Sequence, residues 1–377
     1  MNKRIILFCF LLILTSLAAC NTVEIDRKDK TDGYVSVGKP FDDLYGNRSA
    51  KNPWDMIVFD EKLFVGSGNY DLNVGSCKIA CLDLSSQAWS TCTVPDEEIN
   101  FFAVINGNLI APGIDPTEDW NLGNYYTYNG TDWVTVRNIP NGIHNFTIIE
   151  YNDTIFSGLG TTKGSFPVAA SYDGGQSFAE VPFYKNGMPC TVTDSAKDRI
   201  YDLFMLGNRL FAVKTNRDCE IFLYNEEHFE YYDRWLYKIA FPKADLLQDL
   251  QKRGGFLSSV THRDIYYFTT GYLFKTVDGK NVEHIPFSNS QYIIDLYCDN
   301  HHLYALGVSE TKAGNYLSSV YSIDNGAPCL LFSISERAFP ISFAVYGSDF
   351  YFGFGYTTYD PVVSGTIMKY TYKGEQK

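Results

Sequence analysis

Past its first twenty residues the chain has no stretch of 18 or more consecutive apolar residues, so nothing else in it is long enough to span a bilayer as a helix. Positive charge is also scarce: 31 Lys and Arg stand against 44 Asp and Glu, for a formal net charge of −13. A surface of that sign repels polyphosphates and anionic headgroups, which argues against a nucleic-acid partner. A disulfide framework is missing too. With Cys9 and Cys20 set aside, seven cysteines remain, an odd number scattered along the chain. Cys81 and Cys92 are the one pair that a hairpin turning near residues 85–88 would set opposite each other. No His-Glu-x-x-His, Cys-x-x-Cys or Gly-x-Ser-x-Gly motif occurs, which removes the usual signatures of metal-assisted and serine-nucleophile hydrolysis. Long helical periodicity is absent except over residues 243–254, which predict a short amphipathic helix ending in Lys252, Arg253 and Gly254.

What the chain has is repetition. Tight turns at Asp60-Glu61-Lys62, Asn106-Gly107-Asn108, Asn152-Asp153-Thr154, Gly207-Asn208-Arg209, His262-Arg263-Asp264, residues 300–302 and Gly347-Ser348-Asp349 each precede a bulky apolar strand. Those strands begin at residues 63, 109, 155, 210, 265, 303 and 350, a mean period of about 48 residues, which is blade-sized. Sixteen per cent aromatic residues and 30 glycines suit such an all-β chain. The reading is a seven-bladed β-propeller occupying residues 34–377, with the helical segment inserted between blades four and five. The last repeat has no fourth strand of its own. Tyr34-Val35-Ser36-Val37 matches Trp133-Val134-Thr135-Val136 and is placed to supply it, closing the ring and covering an open sheet edge.

The first residues carry an address. Lys3 and Arg4 precede an apolar run over residues 5–14, the order of a secretory signal. Leu17-Ala18-Ala19-Cys20 resembles the lipobox of bacterial lipoproteins. That resemblance implies cleavage after residue 19, lipidation (palmitate among the acyl chains) at Cys20, and anchoring to a membrane. Residues 20–33 then read as a lipidated flexible tether. Loss of Lys3 and Arg4 with the leader would take the net charge to −15.

Candidate functional residues lie in the loops after the second strands and between blades, the upper face of the expected propeller. These loops bring Tyr70 and Asp71, Asp115, Asp119 and Trp120, His144 and Asn145, and Tyr356. Eight residues before each second strand stand Asp55, Phe101, Thr147, Asp202, Leu257, Asp295 and Ser342, so three carboxylates recur at one register and are expected to ring the axial channel. Aromatic rings beside carboxylates and amides suit a sugar, whose C–H face stacks while its hydroxyls take polar groups. Strand-start aspartates also serve simply to cap backbone N–H groups. No cofactor is implied, although Asp115, Glu118 and Asp119 are the acidic residues that would hold a hard cation such as calcium.

Ser171-Tyr172-Asp173-Gly174-Gly175-Gln176-Ser177-Phe178 is similar to the Asp-box of sialidases and other propellers, and residues 276–282 resemble a degraded copy. In that motif Ser171, Asp173, Gly175 and Phe178 are structural turn residues. A sialidase also needs an arginine triad and a Phe-Arg-Ile-Pro motif; the motif is absent and only ten arginines follow the leader. With the lipobox, Asn52-Pro53-Trp54-Asp55 and residues 139–145, the whole chain resembles the lipid-anchored propeller lipoproteins of Bacteroidetes-like Gram-negative bacteria. That resemblance implies an outer-membrane lipoprotein of the bacterial cell envelope. The expected function is a non-enzymatic module that binds glycan or protein through its upper face. The alternatives are a sialidase-like glycoside hydrolase or a lyase using acids among Asp55, Asp115, Asp119, Asp202 and Asp295, and a scaffold subunit of an envelope complex.

Overall fold

The computed structural model describes residues 24–25, 34–42, 48–73, 75–214, 219–247, 250, 256–287, 291–299, 301–323 and 326–374. The leader, Cys20 and residues 26–33 lie outside them. Each repeat folds into an antiparallel sheet, and the described residues form seven sheets. Their inner strands are Asp55–Phe59, Ala103–Ile105, His144–Tyr151, Ile200–Leu206, Ser258–His262, Tyr292–Cys298 and Pro340–Tyr346. The turns that follow put Asp60 and Glu61, Asn106 and Gly107, Asn152 and Asp153, and Arg263 and Asp264 at positive φ, the geometry that matches a two-residue hairpin to the twist of its strands.

The hairpins joining third to fourth strands repeat a second device. Asp83 Oδ1 accepts the N–H groups of Ser85 and Ser86, Asn129 those of Thr131 and Asp132, Asn225 those of Glu227 and His228, and Asp278 those of Lys280 and Asn281. In blade 3 the same place is held by Asp173, which accepts from Ser177 N, Ser177 Oγ and Ser171 Oγ. Those bonds hold the Asp173 carboxyl down at about 2. Gly175, at φ +93, donates to Ser171 Oγ, and Tyr125 Oη and Asn138 Nδ2 of blade 2 both donate to its carbonyl. Phe178 meets the Tyr125 ring edge-on at 5.9 Å. The turn thus ties blade 3 to blade 2.

Blade 7 is completed as the repeat implies. Tyr34–Gly38 pairs antiparallel with Ile367–Thr371, with Tyr34 opposite Tyr370 and Ser36 opposite Met368. The indole of Trp89, at the edge of blade 1, donates to Val37 O at 2.8 Å, so the closing strand bridges the first and last blades. Between blades the sheets bury aromatic side chains in stacked and edge-on pairs, such as Phe204 on Tyr266 and Phe156 against Phe229; Trp235, Tyr126, Tyr266, Tyr351 and Phe156 are among the largest fully buried groups.

Several elements depart from the expectation. The helix expected over 243–254 reduces, in its described part, to one 3-10 turn, Asp245–Leu247, docked through Leu247 and Leu250. Twelve residues ending in a glycine form too short a helix to repay nucleation, and the buried Leu247 and Leu250 hold the described part instead. Cys81 and Cys92 do not pair. Cys81 faces Ser90 and Cys92 faces Ile79, which sets the two cysteines on a diagonal, and all seven described cysteines are free. Glu24–Ile25, inside the segment expected to be a tether, pairs in parallel with Ser333 and Ile334 of blade 6. A ribbon of Asp96–Glu98 and Ile114–Pro116 adds to the inner edge of blade 3, and Phe183–Lys185 runs parallel along the outer strand of blade 4. No helix among the described residues is long and apolar enough to cross a membrane.

Deleting residues 1–38 exposes the whole edge of Ile367–Thr371 and removes the Trp89 bond. The shortened chain is expected to melt at least about 5 °C below the full chain and to self-associate, by differential scanning calorimetry and light scattering; an unchanged transition contradicts the closure.

Candidate functional site

The register that carries Asp202 and Asp295 is set by β-bulges, whereas Asp55 reaches the same register at the start of a strand whose ladder is regular. Ladder shifts fall between Asn145 and Thr147, Ile200 and Asp202, Ile293 and Asp295, and Pro340 and Ser342, one step before the register position in blades 3, 4, 6 and 7. A bulge leaves one residue unpaired and re-aims its neighbours. Here the side chain after the bulge turns toward the next blade. Asp55 accepts Met56 N at 2.9 Å and, across the joint, Phe102 N at 2.8 Å. Asp295 accepts Leu296 N at 2.9 Å and Phe343 N of blade 7 at 2.9 Å. Ser342 donates to Pro53 O at 2.5 Å, and Ser258 accepts Leu296 N at 3.1 Å. Asp202 accepts the Tyr266 hydroxyl of blade 5 and is bonded by Ser259. The joint between blades 3 and 4 is made by close approach instead: a Cβ on Gly158 would stand 2.6 Å from Thr147 Cγ2 and 2.9 Å from Ile200 Cγ2.

Inside this ring lies an axial cavity of about 390 Å³, lined by Trp54, Phe101, Phe146, Phe204 and Phe256 together with the three carboxylates. The expectation that the three aspartates line the channel holds. The free acidic pair that hydrolysis would need is not what they form, because each already accepts two or more hydrogen bonds. Burial pushes Asp202 up to about 6, and burial reinforced by the charge of Asp55 pushes Asp295 up to about 8.

The unpaired bulge residues Phe146, which is buried, and Tyr201, which is half-buried, line this cavity, their rings 4.2 Å apart and tilted by 33°. His144 stacks on Phe146 at 5.4 Å and 18°, and Tyr70 tilts against His144 at 5.6 Å. Arg199 lies over the far side of Phe146, 5.7 Å from its centroid, and donates to Tyr201 Oη at 3.3 Å. His144 Nδ1 is 2.8 Å from Asp115 Oδ1, close enough for an ion pair but without in-line hydrogen-bond geometry. Asp115 holds φ +55, an uncommon backbone for a side chain followed by proline.

Of the residues expected to bind, the structure therefore gathers Tyr70, Asp115 and His144 at one corner between blades 1, 2 and 3 and Asp55, Asp202 and Asp295 around the cavity, and separates the rest. Asn145 is fully buried, donating to Asn124 O and accepting from Ser157, so it is a core strut rather than a contact residue. Asp119 and Glu118 pair with Arg137 at 3.2 and 3.0 Å, away from Asp115, so the three acids do not converge. No group of three or more His, Cys, Asp or Glu side chains suited to a metal occurs among the described residues. Trp120 is exposed, its indole bonded to Pro116 O. Asp71 sits on a 3-10 turn beside Tyr70. Tyr356 stacks on Tyr359 in blade 7, with Arg48 over the second ring.

Sequence reasoning missed Asp96, Glu97, Phe146 and Tyr201. Asp96 is wholly buried, bonded through Oδ2 to Asn124 and Tyr126, and desolvation lifts it to about 7. Glu97 also rises to about 7, from desolvation and then from the charges of Asp115 and Asp96. The acidic run at 96–98 was visible; its pairing with residues 114–116 was not.

No protein-family model matches the chain, and no curated protein matches it. Solved structures do resemble it. The structure of U3-55K superposes with a TM-score of 0.52 at 10% identity, covering 87% of this chain and 97% of that one. The RRP9 WD40 repeats give 0.51 at 11% identity over 87% and 96%, and YCF48 from Cyanidioschyzon merolae gives 0.51 at 10% over 90% and 98%. At such identity the likeness bears on fold alone. Together with the sheet order it defines the chain as an all-β, seven-bladed propeller.

Raised carboxyls bind protons more tightly in the folded chain than in the unfolded one, so they favour folding below their folded values and weaken it above them. Asp96, Glu97, Asp202 and Asp295 all titrate at about 6–8, whereas Asp173 at about 2 acts only in strong acid. The melting temperature is expected to rise as pH falls from 8.5 to 5.5. Glu97→Gln should flatten that slope and raise the melting temperature at pH 8 by about 1–2 °C, a small gain because the group is partly solvated. A melting temperature that rises with pH contradicts the assignment.

Proposed function

We propose that this chain is a non-enzymatic recognition propeller that binds a glycan at the upper mouth of its channel, held at the bacterial envelope by lipid on Cys20. The observation that carries the binding half is a division of labour. The channel carboxylates are committed to the blade joints, while Tyr201, freed from the ladder by a bulge and half-buried, lines the cavity with the buried Phe146 packed behind it and His144 and Asp115 nearby. A ring so placed offers an apolar face to the C–H groups of a sugar, and nearby carboxylate and imidazole groups take its hydroxyls. The anchoring half rests on the order of charge, apolar run and Leu-Ala-Ala-Cys in the first twenty residues. A hydrolase would need two carboxyl groups facing across one cleft, one of them free to attack or activate water. Asp55, Asp202 and Asp295 instead hold backbone N–H and hydroxyl groups.

A glycan array probed with the full chain in detergent tests the reading, alongside a Tyr201→Ala variant and Tyr346→Ala, an exposed residue at the far end of the blade 7 inner strand, as a control. Binding without sugar release, weakened about tenfold or more by Tyr201→Ala and unchanged by Tyr346→Ala, is the expected result. Released reducing sugar would replace this reading with catalysis, and silence across the array would point to a protein partner. Metabolic labelling with palmitate, abolished by Cys20→Ala, tests the anchor separately.

A further inference from the structure

The described cysteines are all outside disulfides, but their surroundings differ. Cys77 and Cys219 are buried, and burial pushes the thiols of Cys77, Cys81 and Cys92 up, away from the thiolate that reacts. Cys298, by contrast, lines the axial cavity, and its Sγ lies 3.0 Å from Nδ1 of His262. The fold sets up this pair: Cys298 is the last residue of the inner strand of blade 6 and His262 the last of the inner strand of blade 5, and the two meet across one seam. Cys298 follows Asp295 by three residues, about 10 Å of strand, which places the thiol toward the lower end of the channel. The imidazole is buried and the thiol half-buried. Adjoining charges are engaged elsewhere: Asp299 accepts the N–H groups of His301 and His302 and stands 3.4 Å from Nδ1 of His302, and Arg263 donates to His301 O. The pair thus joins two requirements of a reactive thiol, a base within reach of its proton and a cavity through which an electrophile arrives.

We propose that Cys298 is a nucleophilic thiol served by His262, and that it captures a small uncharged disulfide from the channel as a mixed disulfide. In the resting thiol the S–H donates to Asp299 O at 3.0 Å, and rotation about Cβ–Sγ carries the same proton to Nδ1 of a neutral His262. The thiolate then attacks one sulfur of R–S–S–R: the Cys298–S–S–R bond forms, the original S–S bond breaks, and RS⁻ leaves and takes the proton from the imidazolium. Cys298 is oxidised and the released thiol reduced, so the exchange needs no further oxidant. The lining sets the class of reagent. Phe101, Phe204 and Phe256 offer apolar faces to an uncharged body, whereas Asp55, Asp202 and Asp295, in a chain of net charge −13, disfavour an anionic one.

Peptide mass mapping of the full chain in detergent, after timed exposure to 2-hydroxyethyl disulfide or to oxidised glutathione, tests the proposal. Each rate is taken relative to the chain unfolded in urea, which cancels the reagent's own reactivity. With the uncharged reagent Cys298 is expected to react about tenfold or more faster than any other described cysteine, and with anionic oxidised glutathione to lose most of that advantage. His262→Gln is expected to slow Cys298 about tenfold or more, with the melting temperature and the rates of the other cysteines unchanged. The folded chain should also show the ultraviolet absorbance of a thiolate, lost in Cys298→Ser and in His262→Gln alike; should His262→Gln melt lower, the Cys298→Ser difference carries the assignment. A Cys298 that reacts no faster than the other cysteines, or at a rate indifferent to His262→Gln in a chain that melts normally, overturns the proposal. So does an absorbance unaltered by Cys298→Ser. Equal relative rates with the two reagents overturn the choice of an uncharged disulfide.

Discussion

The structure depends on how one blade is fastened to the next. A propeller has no central layer to hold its sheets together; its blades meet only along their flanks and near the axis. In this chain a polar side chain near the start of the inner strand reaches across the axis-side seam: Asp55 to Phe102 N, Asp202 to Tyr266, Ser258 to Leu296 N, Asp295 to Phe343 N and Ser342 to Pro53 O. The last of these joins blade 7 to the segment that opens blade 1, where the strand Tyr34–Gly38 also closes the ring. All of these bonds but the Asp202–Tyr266 pair satisfy a backbone group that burial would otherwise leave unmet, and losing one partner costs more than the bond's modest net contribution.

Function follows from the same geometry. In blades 4, 6 and 7 the bulges that aim Asp202, Asp295 and Ser342 along the seams leave one residue unpaired just before them. In blades 6 and 7 that residue is isoleucine and in blade 3, where a bulge precedes Thr147, it is Phe146, and all three are buried; in blade 4 it is Tyr201, half-buried and lining the cavity. One backbone device thus aims seam side chains in three blades and, in blade 4, leaves Tyr201 as an aromatic ledge against the cavity. The ribbon carrying Glu97 and Asp115 sits beside that ledge because Ile114 pairs with His144, the first residue of the same inner strand.

Much of this was legible in the sequence. Tight turns at a blade-sized interval gave the number of sheets, and the likeness of Tyr34-Val35-Ser36-Val37 to Trp133-Val134-Thr135-Val136 located the closing strand. The recurrence of Asp55, Asp202 and Asp295 was legible as a register but not as a set of bonds, since a capping aspartate and a catalytic one look alike until their partners are known. Bulges leave no mark in composition, so the display of Phe146 and Tyr201 could not be anticipated. The ribbon of Asp96–Glu98 and Ile114–Pro116 was illegible for a different reason: three-residue strands are too short for periodicity to register, and Pro116 speaks against a strand. Residues 243–254 have helical spacing, yet their described leucines are held by the core in a 3-10 turn, a case of packing overriding local preference.

The central claim, that the channel carboxylates are fasteners, is tested most directly by the stability of Asp55→Ala in urea. Removing the acceptor strands the buried N–H groups of Met56 and Phe102, and the account predicts a loss of about 1–3 kcal/mol, with any glycan affinity at the upper mouth unchanged. Unaltered stability, or a loss of ligand binding in a chain that is otherwise equally stable, would contradict it.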